Sequence, residues 1–61
     1  MDEMTYRIEE NECHLTLITK GNGNEGICKR MRKEYIKDGC KQDFIKNWEA
    51  EMKEYGYKPC Q

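Results

Sequence analysis

Four cysteines, Cys13, Cys28, Cys40 and Cys60, are spread along a chain of only 61 residues. A chain this short buries about 60% of the surface that its unfolded form exposes, so its core is marginal unless something staples it. Cysteines at this density therefore raise the question of disulfides. Their spacing argues against a metal knuckle or a redox dithiol, because no C-x2-C stands anywhere in the sequence. One small domain, 1–61, is all that the length allows. The net charge of −1 gives no overall pull toward nucleic acid or an anionic membrane, so a charged partner must read a local patch. No apolar run reaches the length of a membrane span or of a signal-peptide core, and a soluble chain is expected.

Met4, Tyr6 and Ile8 alternate with Thr5, Arg7 and Glu9, and after Glu10-Asn11-Glu12 the alternation resumes at Cys13, Leu15 and Leu17. This period of two around a polar turn predicts a β-hairpin over 4–19. Gly21-Asn22-Gly23 then interrupts regular structure, and Asn24 is read as the cap of a following helix, 25–38. Ile27, Cys28, Met31 and Tyr35 fall within about 100° of arc at helical spacing, and Gly39 is placed as a left-handed stop. A second helix is expected over 41–55. Phe44, Ile45, Trp48, Met52 and Tyr55 form its apolar stripe, with Gly56 and Pro59 beyond its end. The expected fold is α+β: an N-terminal hairpin packed on an antiparallel pair of helices, ββαα.

That layout suggests cysteine partners. The first helix would return Cys40 toward Cys13, and the second would return Cys60 toward Cys28, so oxidation would link Cys13 to Cys40 and Cys28 to Cys60. The competing reading is four small, reduced side chains in a cytoplasmic protein, which the lack of a secretory segment favours. A metal is not expected, since Cys13 and His14 are neighbours on a strand and point to opposite faces. Nor is catalysis: His14 is the one histidine, and the carboxylates are scattered on polar faces. Residues 21–26 could offer backbone N–H groups to an anion, yet they lack the lysine and hydroxyl of a P-loop and read as a connector. No cofactor is implied.

The pattern that most resembles a binding site is basic. On a helix over 25–38, Lys29, Arg30, Lys33 and Lys37 share the face opposite Ile27, Met31 and Tyr35, with Arg32 on the flank. Tyr57 and Ile36 are candidates for surplus apolar surface, with cover by the C-terminal tail as the alternative. The residues Leu15-Thr16-Leu17, then Arg30-Met31-Arg32-Lys33 and Tyr35-Ile36-Lys37, together with Tyr6, resemble the TnpV family of small transposon-encoded accessory proteins over residues 6–38. The resemblance implies a mobile-element origin and reduced cysteines. Strand two and the helices after it also resemble ribbon-helix-helix repressors, with His14 and Thr16 toward bases, which would imply a dimer on DNA.

The functional expectation is a non-catalytic binding protein, a regulator or inhibitor. It would dock a macromolecule through Lys29, Arg30, Arg32, Lys33 and Lys37, with Tyr57 nearby. A protein partner is favoured over nucleic acid, because so few phosphate contacts would bind weakly and fade with salt. A secreted, disulfide-stapled effector is the main alternative. Two strands alone make a weak sheet, so a homodimer through strand edges is a further expectation.

Overall fold

The computed structural model describes residues 3–60. The chain runs β1 (Thr5–Glu10), β2 (His14–Gly21), β3 (Asn24–Arg32), one 3₁₀ turn (Lys33–Tyr35), α1 (Lys41–Glu54) and β4 (Lys58–Pro59). The strands form one mixed sheet in the order β3-β2-β1-β4. Both pairs made by β2 are antiparallel, and β4 joins β1 in parallel.

The β1–β2 hairpin closes on Asn11, whose side-chain oxygen accepts hydrogen bonds from the backbone N–H groups of Cys13 (2.8 Å) and His14 (2.7 Å). Asparagine suits this place because its short amide satisfies backbone donors that the turn takes out of the ladder. Register then decides the faces. Tyr6 and Ile8 lie with Leu15 and Leu17 on one side of the sheet, while Thr5, Arg7 and Glu9 lie on the other.

Residues 25–38 do not form a helix. The expected ββαα fold with its antiparallel helix pair is replaced, among the described residues, by a four-stranded mixed sheet and a single α-helix. The local cause is Asn22-Gly23, at φ 53° and 79°. Two successive left-handed residues make the tight turn whose twist matches a hairpin, and Asn-Gly is the pair best able to adopt it. The chain therefore folds straight back, from Gly21 opposite Asn24 to His14 opposite Arg32. A wider cause acts with it: β2 carries the fully buried Leu15 and Leu17, and a strand buried there must satisfy its backbone groups on both edges. Neighbouring strands do this; the outside of a helix cannot. The pairing slips by one residue at a β-bulge, with Leu17 opposite Lys29 and Ile18 opposite Ile27, so Cys28 is the extra residue. The two-helix layout of a ribbon-helix-helix dimer is accordingly not present among the described residues.

Helix α1 lies on the Tyr6–Leu15–Leu17 side of the sheet and closes the core with Trp48 and Met52. Phe44, Ile45, Ile8, Met31, Ile36 and Tyr57 pack around that cluster, and the Phe44 and Trp48 rings meet edge to face at 6.3 Å. The carboxylate of Asp43 in the first turn and the ammonium of Lys53 in the last both suit the helix dipole. Gly56, at φ 91°, ends the helix. Its N–H donates to Lys53 O and that of Tyr57 to Met52 O, which satisfies two carbonyls of the last turn. This reversal folds Tyr57 onto the core and leads the chain into β4. Tyr57, one of the two candidates for surplus apolar surface, is thus half-buried against the core, as is Ile36. Tyr55, expected in the apolar stripe, points to solvent with 64% exposure.

All four thiols are free. Cys28 sits in β3, and Cys60 follows β4 with its N–H donating to Tyr6 O. They occupy opposite edges of the sheet, three strand spacings or about 14 Å apart. A Cys28–Cys60 bridge is therefore excluded by this fold, because a disulfide needs Cα atoms within about 7 Å. Cys13 stands in the β1–β2 turn and Cys40 at the N-cap of α1, and the helix that was to bring them together is absent from the described residues.

Candidate functional site

A strand sorts consecutive side chains to opposite faces, so the basic cluster of the sequence divides. Lys29 pairs in register with Leu17 and turns toward α1, where its ammonium meets the Glu51 carboxylate at 2.6 Å. That contact, led by the hydrogen bond that Lys29 donates to Glu51, holds the Lys29 pKa above its ordinary value. Lys33 and Lys41 both donate to Glu10, tying the 3₁₀ turn and the start of α1 to the end of β1. Their hydrogen bonds hold the Glu10 carboxyl below the usual carboxylate range. Lys29 and Lys33 therefore brace the fold. Lys37 lies further on, exposed in the loop before α1 and in no ion pair among the described residues.

Arg30 and Arg32 go the other way. They stand opposite Thr16 and His14, on the side of the sheet that no helix covers among the described residues. Arg30 Nη2 lies 3.4 Å from His14 Nδ1, and Arg32 meets Glu34 at a long 3.4 Å with both side chains largely exposed. Glu12, Cys13, His14, Arg32 and Glu34 line a shallow depression at this end. The turn thus brings Cys13 and His14 to one hollow, although alternation alone would part them. No group of three or more histidine, cysteine, aspartate or glutamate side chains among the described residues is placed to hold a metal ion.

At the opposite end of the same face Arg7 reaches across β2 to Glu25, with contacts of 2.7 and 3.3 Å, and also bonds Glu9 at 3.0 Å. Hydrogen bonding from Arg7 lowers the Glu25 pKa. The strap crosses β2 beside Ile18, which is only 9% exposed despite facing away from α1. Arg7 is neutralised there, so the remaining cations of the open face are Lys20, beside Glu25, and Arg30 and Arg32 at the other end.

The outer edge of β3 adjoins these arginines. Among the described residues β3 pairs with β2 alone, which leaves one row of backbone N–H and C=O groups open along residues 24–32. Ile27, 61% exposed, projects beside that row. Neither the edge nor the division of the lysines from the arginines was foreseen from the sequence. The Asn22-Gly23 pair was the signal for both.

One buried group stands apart from this surface. The Tyr6 hydroxyl is enclosed in the core with no hydrogen-bond partner in reach among the described residues, and burial first, then the nearby Glu49 carboxylate, raises its pKa. It faces α1 and belongs to packing.

The fold and this surface define a small cysteine-containing protein of one mixed sheet and one helix. Comparison with protein-family models, with curated proteins and with solved structures finds no match. Among the described residues no helix is long and apolar enough to cross a membrane.

Proposed function

We propose that this chain is a non-catalytic binding protein that docks a protein partner through the outer surface of β3, with Arg30 and Arg32 as its charged contacts. One observation carries the reading. Of the basic residues singled out in the sequence, Lys29 and Lys33 are held by glutamates within the fold, whereas Arg30 and Arg32 project from an uncovered sheet face beside an open strand edge. Planar guanidinium groups on an uncovered sheet face suit an acidic protein segment, since they grip carboxylates in pairs. Nucleic acid suits the surface less. Glu9 and Glu25 share the open face and would repel phosphates, and the few cations there release few counterions.

A regulator or inhibitor of mobile-element origin, acting in the cytoplasm with its thiols reduced, is the role that the TnpV resemblance of residues 6–38 supports. The separation of Cys28 from Cys60 favours that setting over a stapled, secreted one. The test compares the proteins retained by the wild-type chain with those retained by an Arg30→Glu/Arg32→Glu variant of unchanged circular dichroism. A partner retained by the first and lost by the second, confirmed by titration of the two purified proteins, is the expected result. A partner that binds both equally removes this surface from consideration.

A further inference from the structure

We infer that the open edge of β3 pairs with the same edge of a second copy of this chain, antiparallel about a two-fold axis between Cys28 and Lys29. The bulge selects this register. Up to Ile27 the odd-numbered residues of β3 face away from α1; from Arg30 onward the even-numbered ones do, because Cys28 is inserted between the two runs. Cross-strand partners must share a face, so a symmetric pairing has to set odd residues against even ones. The register centred between Cys28 and Lys29 does so from Glu25 to Arg32 and lays one bulge against the other, so both strands keep equal length across the irregular step. Shifting the register by two residues throws the bulges out of line, and in one direction it also shortens the overlap.

Charge agrees with this register. It sets Glu25 of each copy opposite Arg32 of the other, two unlike pairs from a single complementarity, as an isologous contact requires. Both side chains are accessible, at 45% for Glu25 and 62% for Arg32. Glu25 can keep its Arg7 contact, since a carboxylate accepts from two guanidinium groups. Ile27 falls opposite Arg30, whose aliphatic stem would cover an isoleucine that the single chain leaves 61% exposed. The Lys29 side chains meet near the axis on the other face, and each brings its own Glu51 as counter-charge. An edge bearing a bulge and several cations resists indiscriminate strand addition. Self-pairing in this one register turns the same features into a match. The product is a continuous eight-stranded sheet with both helices on one side and an uninterrupted open face carrying Arg30 and Arg32 of both copies at its centre.

The experiment is sedimentation equilibrium of the whole chain, kept reduced, from micromolar to near-millimolar concentration and with no partner present. It reads self-association without regard to the docking proposal, and Glu25 is not among the docking residues, so the two proposals fail separately. The expected result is a reversible monomer–dimer equilibrium. Glu25→Arg should raise its dissociation constant about tenfold or more, because two attractive pairs become repulsive. Arg32→Glu should do the same, and the swapped Glu25→Arg/Arg32→Glu variant should recover the dimer. Circular dichroism confirms that each variant folds. A chain that stays monomeric throughout, a dimer indifferent to Glu25→Arg, or a swap that restores nothing would each overturn the inference.

Discussion

Glu10 shows how one side chain can join three parts of the chain. It stands at the end of β1 and accepts hydrogen bonds from Lys33 in the 3₁₀ turn and from Lys41 in the first turn of α1. Its folded pKa is lowered chiefly by those two hydrogen bonds. Because the folded value lies below the unfolded one, the unfolded chain takes up protons first as the pH falls. The stabilisation is complete above the unfolded value and is lost as the pH drops through the folded one. Glu25, lowered by Arg7, adds to the same trend. The midpoint of urea unfolding should therefore fall as the pH goes down through and below the usual carboxylate range. Glu10→Gln should be less stable than wild type at neutral pH and lose stability less steeply on acidification. Parallel pH profiles for the two proteins would show that Glu10 does not contribute in this way. None of these pairs was legible in the sequence, since each joins residues between 18 and 31 positions apart. Local spacing carries no record of such contacts.

Elements were legible where a single local signal stood without a rival. The alternation of Tyr6, Ile8, Leu15 and Leu17 around a polar turn reads as a hairpin, and β1 and β2 are one. The stripe of Phe44, Ile45, Trp48 and Met52 ahead of Gly56 reads as a helix, and Lys41–Glu54 is α1. Residues 24–32 carry two signals that disagree. Ile27, Cys28 and Met31 fit a helical arc, and Asn22-Gly23 fits a hairpin turn. The arc rests on few apolar residues, whereas the turn is stereochemically specific and lies beside a strand that needs a partner. Gly23 is where this can be tested, because its φ of 79° is costly for any residue with a Cβ. Gly23→Ala should cost about 1 kcal/mol, lowering the thermal midpoint by roughly 4–8 °C. No neighbouring atom lies within 4 Å of a Cβ built there, so the penalty belongs to the backbone and not to crowding. An unchanged midpoint would mean that the turn is not left-handed at this residue.

At the scale of the molecule, the overall extents of 40 × 20 × 17 Å leave room for two layers, one sheet and one helix about 10 Å apart. One layer boundary forms the core, around Trp48, Met52, Tyr6, Leu15 and Leu17. The other side of the sheet stays open, and what the protein can bind follows from which residues the strands send there. A helix over 25–38 would have gathered Lys29, Arg30, Lys33 and Lys37 on one face. The strand instead commits Lys29 to Glu51, leaves Lys33 with Glu10 and presents Arg30 and Arg32. The candidate site was thus legible as a set of residue types and not as a surface, because its shape depends on the secondary structure of one segment. That dependence makes β3 the central claim, and nuclear Overhauser spectroscopy of the isotope-labelled chain tests it most directly. The predicted result is cross-strand contacts that place Leu15 opposite Met31 and Ile18 opposite Ile27, with the one-residue slip at Cys28. Successive amide–amide contacts running from Glu25 to Asp38, the signature of a helix, would contradict the account and restore the single basic face.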